Sequence, residues 1–204
     1  MPRTASAGIA LLALFAAGAA LAQHADGGAD ASPVPPFSHS AAGGELPQPW
    51  IALTFPHILR HTAYGLVRDG DAGVVVRADA DASASGRSVR LDLPASEWPR
   101  LAWRWKVERP IMSGDVTRRS GDDYPVRVYV AFRYAPQRVS AFDRARYAWL
   151  RLLYGEYPPH AAINYVWDAH APVGTVVPNS YESRVKMVVV ESGSAQTGHW
   201  LAYD

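Results

Sequence analysis

The sequence predicts a mainly β protein, an antiparallel two-sheet sandwich of jelly-roll type with one helix inserted. Three observations predict it. Short segments rich in Val, Ile, Tyr and Trp, alternating with polar residues, recur from Trp50 to Asp204. Clusters of Gly, Pro, Asp and Asn punctuate them. A single stretch, 140 to 153, carries a helical stripe instead. Eight or more short strands with one helix are most simply packed as two sheets around a shared core.

Residues 1 to 22 read as a secretory leader. Arg3 lies in a short polar start, an apolar run follows from Ile9 to Leu21, and small residues stand at Ala20 and Ala22. The expected mature chain starts at Gln23 and is periplasmic or secreted. Membrane spans need about 20 apolar residues, so none is expected once the leader is removed. "QHADGGADASPVPP", 23 to 36, is a flexible lead-in without periodicity. One domain then occupies 37 to 204.

Within it the expected strands are "WIALTF" (50 to 55), "TAYGLVRDG" (62 to 70), "VVVRADA" (74 to 80), "SVRLDL" (88 to 93), "RLAWRWKVE" (100 to 108), "PVRVYVAFRY" (125 to 134), "AINYVWD" (162 to 168), "RVKMVVVES" (184 to 192) and "GHWLAYD" (198 to 204). The second and third should form a hairpin through "DGDAG". In the helix, Ser140 is the N-cap candidate with Asp143 in the first turn. Phe142, Ala145, Trp149, Leu152 and Leu153 form its apolar stripe, and Gly155 stops it.

Composition narrows the function classes. With no cysteine, an exported protein relies on its core rather than on disulfides, and thiol catalysis and Cys-ligated zinc are excluded. Removing Arg3 with the leader leaves 19 basic against 19 acidic residues. A nucleic-acid binder would show a basic excess, so none is expected as a partner.

Alternation along strands sorts side chains into two faces. Trp103 and Trp105 oppose Arg104 and Lys106; Val126, Val128 and Val130 oppose Arg127, Tyr129 and Arg133; Val185, Met187 and Val189 oppose Arg184 and Lys186. If these strands are neighbours, Arg104, Lys106, Arg127, Tyr129 and Arg184 form a basic, aromatic sheet face. Arg119, Asp122 and Asp123 in "SGDVTRRSGDDYP" would form its rim. Arg offers a planar bidentate donor to carboxylates, and aromatic rings offer flat surfaces to sugars. The competing reading is that the cations pair with nearby carboxylates across strands and only contribute to stability.

Asp122 and Asp123 are adjacent in extended backbone and point apart, so a catalytic pair needs a partner such as Asp115, Asp168 or Glu191. "DVTRRSGDD" lacks the spacing of a calcium loop, and the seven histidines show no two-His metal motif; no metal and no cofactor are expected. Ser83 and Ser85 sit in no nucleophile elbow. In "AINYVWD", Asn164, Val166 and Asp168 share one face and Tyr165 and Trp167 the other; Trp167 belongs to the core, or the segment lines a pocket edge with Asn164 and Asp168 on a polar face.

Taken together and in order, "ASASG", "PRLAWRWKV", "GDVTRRSGDDYPVRVYVAF", "INYVWD", "PVGTVVPN" and "RVKMVVVESG" resemble a bacterial exported family, domain of unknown function 3047, over about Phe37 to Trp200. Similar proteins continue beyond "HWLAYD" with an acidic, Arg-containing stretch. The resemblance implies no established activity. By fold analogy with galactose-binding-like and lectin-like modules, the leading expectation is a non-catalytic binding module for a cell-envelope glycan or other anionic ligand. A glycan-cleaving hydrolase or lyase using loop carboxylates, and a structural or assembly role in the envelope, stand beside it.

Overall fold

A computed structural model describes residues 9–16, 33–55, 57–133, 137, 139–144 and 159–204. Eleven strands occupy them: β1 (Ile9–Ala16), β2 (Ile51–Leu53), β3 (Ala63–Arg68), β4 (Val74–Asp79), β5 (Ala84–Leu91), β6 (Trp103–Trp105), β7 (Val126–Phe132), β8 (Ala161–Asp168), β9 (Val176–Pro178), β10 (Val185–Ser192) and β11 (Leu201–Tyr203). Each of the nine expected strands is present, with ends trimmed or shifted by a few residues. Two were not anticipated: β9 in "TVVPN", and β1, in the apolar run expected from the sequence to be part of a leader. Among the described residues no helix is long and apolar enough to cross a membrane.

Seven strands form the main sheet, in the order β2-β5-β1-β7-β8-β10-β9, and two-stranded sheets pair β11 with β6 and β3 with β4. The expectation of a mainly β, layered protein holds. The main sheet is mixed rather than antiparallel, however, because β1 runs parallel to both β5 and β7, and β8 runs parallel to β10. Chain reversal explains the last pair. After β8 the chain crosses to the sheet edge as β9 and folds back antiparallel as β10 between them. That return places β10 in the same direction as β8.

The β3–β4 hairpin forms as its turn residues require. Asp69 N–H donates to the Gly73 carbonyl at 2.9 Å, and Gly73 takes the φ of 75° that closes the turn. The hairpin is tied to β5 by the Tyr64 hydroxyl on the Ser85 carbonyl (2.8 Å). Most of "SASG" is therefore strand, since β5 begins at Ala84, and Ser83, Ser85 and Ser88 are buried. The Ser140 cap is also formed: its hydroxyl accepts from Asp143 N–H at 3.1 Å, ahead of a helical turn at 141–144. The remainder of that helix, with Trp149, Leu152 and Leu153, lies outside the described residues.

The core follows from the two-residue period. On one face of the main sheet Val89, Val128 and Trp167 pack with Trp50, Trp105 and Val107, joined by Trp103, Tyr165 and Tyr203. Trp103 lies 4.9 Å from Tyr165 and 5.2 Å from Tyr203, ring to ring. Trp167 is wholly buried and its indole N–H donates to the Gly193 carbonyl at 2.8 Å, so neither face nor polar tip of the ring is left unmatched. The small β6–β11 sheet is the second layer over this aromatic core.

Candidate functional site

The other face of the main sheet is covered too, by a loop. Register aligns Arg127, Tyr129 and Ala131 of β7 with Val166, Asn164 and Ala162 of β8, which align in turn with Val189, Met187 and Val185 of β10. Val166, Met187 and Val189 form a second buried cluster with Val116 and Tyr124 from the loop and Ala171 beyond β8. The expected open face of β7 thus shares its side with the apolar residues of β10, and residues 112 to 124 lie over it. Alternation along single strands does not reveal this, because both sides of the sheet are packed.

The loop is held by charged and polar groups at the end of β8 and within itself. Asp168, fully buried at the end of β8, accepts from Val116 N–H at 2.9 Å and from His170 and Ala171 N–H at 2.7 Å each. His170 Nε2 donates to the Met112 carbonyl at 2.9 Å. Asp115 accepts from the Thr117 hydroxyl (2.5 Å) and Thr117 N–H (2.9 Å), and these bonds hold its carboxyl below the usual range. Gly121 is required by close approach, since a Cβ there would stand 2.8 Å from Asp115 backbone atoms.

Beneath the loop, Arg127 pairs with Asp122 at 2.9 Å, donates to the Asp122 carbonyl at 2.7 Å and lies 4.6 Å above the Tyr124 ring. Its side chain is only 11% exposed, so this cation is committed to holding the loop. Burial pushes the Asp123 carboxyl up, against the opposing pull of Arg127, and pushes the Tyr129 hydroxyl up to about 12. Tyr129 therefore stays a neutral donor and acceptor. Asn164, directly opposite Tyr129, is 1% exposed; its amide N–H donates to the Met187 sulfur at 3.4 Å, and its oxygen has no hydrogen-bond donor among the described residues.

The turn between β9 and β10 completes the rim. Asn179 accepts from Tyr181 N–H (2.9 Å) and Glu182 N–H (3.3 Å), which turns the chain and projects Tyr181 outward, 59% exposed. Arg119 from the loop stacks on that ring at 4.3 Å, and the Tyr181 hydroxyl donates to the Arg119 carbonyl at 3.4 Å. Arg184 pairs with Glu182 at 3.1 Å, and Glu182 is among the charges that act on Tyr129.

Six of the eight sequence-predicted residues, Arg119, Asp122, Asp123, Arg127, Tyr129 and Arg184, are thus brought to one side of the molecule by loop, strand and turn. Arg104 and Lys106 are not among them. They lie on the outer side of β6, beyond the aromatic core, where Arg104 donates to the Ala72 carbonyl (2.6 Å) and Lys106 pairs with Asp69. Both cations lie over the Trp200 ring, at 5.3 and 5.5 Å. One continuous face carrying all eight does not form, because β6 and β7 belong to different layers. Asn179, Tyr181 and Glu182 were missed by the sequence reading, although "PNSYE" carries the signature of a tight turn presenting an aromatic residue.

Asp115, Asp122 and Asp168 are each consumed by structural bonds, which leaves Asp123 as the loop carboxylate that could act as an acid. Among the described residues no three His, Asp or Glu side chains converge as a metal site. A family described as "Protein of unknown function (DUF3047)" matches residues 48–204. No curated protein and no solved structure matches the chain.

Proposed function

Starting from the chain's membership of the family of unknown function 3047, we propose that it is a non-catalytic binding module for a saccharide of the cell envelope. The observation that carries this reading is the rim of the loop-covered face, where the Arg119 guanidinium lies over the exposed Tyr181 ring beside the Glu182–Arg184 pair. Guanidinium stacked on a ring keeps its in-plane N–H edge free for an acceptor. Glu182 supplies an acceptor, Tyr181 a flat apolar surface, and the half-buried Tyr129 a neutral hydroxyl near Glu182. Sugar hydroxyls donate and accept at once, so a site carrying both signs suits them better than a purely cationic patch. Acidic sugars fit as well, with a carboxylate on Arg119.

Export belongs to the same proposal and rests on the leader at residues 1 to 22. Fractionation of cells producing the protein should place a shortened chain outside the cytoplasm.

Calorimetric titration with neutral and uronate-containing envelope oligosaccharides tests the binding reading. Tyr181→Ala and Arg119→Ala should each weaken binding about tenfold or more with the melting temperature unchanged, in line with a stacking contact and a charge-assisted bond. Unaltered affinity in both variants would place the ligand elsewhere. The enzyme reading is favoured by one observation alone, the raised proton affinity of half-buried Asp123. Release of reducing ends or unsaturated products, abolished in Asp123→Asn, would replace binding by cleavage.

A further inference from the structure

The main sheet has a place for a strand between β5 and β7, and the occupant of that place is unusual. Strand β1, "IALLALFA", comes from the apolar run of the leader. It pairs in parallel with β5 over eight residues, Ile9↔Ala84 to Ala16↔Leu91, and with β7 over seven, Ala10↔Val126 to Ala16↔Phe132. β5 and β7 do not pair with each other. Two strands separated by one intervening strand stand about 9.6 Å apart, twice the ladder spacing, too far for direct hydrogen bonds. Among the described residues, β1 is therefore the sole ladder connection between the β2–β5 pair and the rest of the sheet.

We infer that the gap between β5 and β7 is a strand-acceptor site, taking one extended apolar segment of about eight residues parallel to β7, with the leader segment 9–16 as its occupant in the uncleaved chain. The chemistry is specific. Backbone N–H and C=O groups along two facing strand edges need partners on both sides at once, which only another extended backbone supplies. The surroundings favour an apolar strand, because the flanking strands contribute Val89 and Val128, both buried, to the aromatic core. Such an arrangement has a consequence for export. Removal of the leader takes a central strand out of the sheet, so the processed chain must close the gap or accept an equivalent strand. The acceptor site rests on strand order and stands independently of saccharide binding, while its consequence for export rests on the leader reading proposed above.

The full chain can be tested with a site-specific protease sequence placed within residues 23 to 32 and cleaved after folding. The expected result is that the leader fragment co-elutes with the body in gel filtration, with β5 and β7 amides protected from hydrogen exchange. On its dissociation in mild denaturant, protection of those two strands should fall by about a hundredfold or more while β8 and β10 keep theirs. Leu12→Pro, which removes a ladder donor and cannot sit in a central strand, should abolish retention. Release of the fragment with β5 and β7 still protected would show that the two strands pair directly, and the site does not exist. Retention of the Leu12→Pro fragment would show non-specific adhesion and would equally overturn the inference.

Discussion

Arg127 and Arg104 occupy the same place in the sequence pattern, a cation between two apolar residues of a strand, and opposite places in the molecule. Arg127 is covered by the loop, paired with Asp122 and laid on Tyr124. Arg104 is exposed on the outer side of the second layer, held by the Ala72 carbonyl and the Trp200 ring. Alternation assigns a side chain to one side of its strand and says nothing about what covers that side. A cation on the side away from the core is a ligand contact only where no other segment has packed over it.

The comparison breaks most severely if the cover is removed, and Asp168 is the group that pins it. Its carboxylate satisfies three backbone N–H groups in a fully buried setting. Asp168→Ala leaves those donors unpaired, and unfolding in urea should show a loss of about 3 to 5 kcal/mol. Asp168→Asn should cost less, since the amide oxygen can still accept. An Asp168→Ala variant within about 1 kcal/mol of the parent would mean that Asp168 does not secure the loop.

Next in size is the buried cation itself. Arg127→Ala should destabilise by about 2 to 3 kcal/mol, because Asp122 is left beside Tyr124 with its partner gone. Adding Asp122→Asn to it should recover part of that loss, which a double-mutant cycle measures as coupling between the two. Additive effects would contradict the pairing.

These residues also show how much was legible in advance. Nearly every strand was visible because a period of two and turn residues are local signals, and the aromatic core was implied by Trp103, Trp105 and Trp167 sharing apolar faces. The Arg119–Tyr181 stack was not legible, since it joins a loop to a turn 62 residues away and neither end carries a periodic signal. Nor was the mixed sheet, because strand direction is set by long-range chain reversal around β9 rather than by composition. "SGDVTRRSGDDYP" was read as either rim or ion-pair knot, and the geometry divides it: Asp115 and Asp122 are knotted, whereas Arg119 reaches the rim.

A smaller effect separates the buried and exposed parts of the same loop by pH. Burial raises the folded-state pKa of Asp123, so the stability this group contributes is fully present below its unfolded pKa and is lost as pH rises through the folded value. Asp123→Asn should therefore raise the melting temperature relative to the parent at neutral pH, and the advantage should vanish in acid, near pH 3. Asp115 has the opposite sign. Its lowered pKa contributes stability above the unfolded value that is lost as pH falls through the folded one. If Asp123→Asn is destabilising at every pH, the carboxylate is making a bond in the folded protein that burial alone does not describe.

The smallest effect belongs to the other half of the comparison. Arg104 is exposed, so its bond to the Ala72 carbonyl competes with water, and its contact with Trp200 is that of a surface cation on a ring. Arg104→Ala should change stability by about 0.5 kcal/mol or less and should leave saccharide affinity at the Tyr181 rim unaltered. Lys106→Ala should cost slightly more, because among the described residues the Asp69 carboxylate then retains the Trp200 indole N–H at 3.0 Å alone. Saccharide affinity lost in Arg104→Ala and kept in Arg119→Ala would move the binding surface to the outer side of β6. The exposed cation would then be the functional one, and the loop-covered face would serve stability alone.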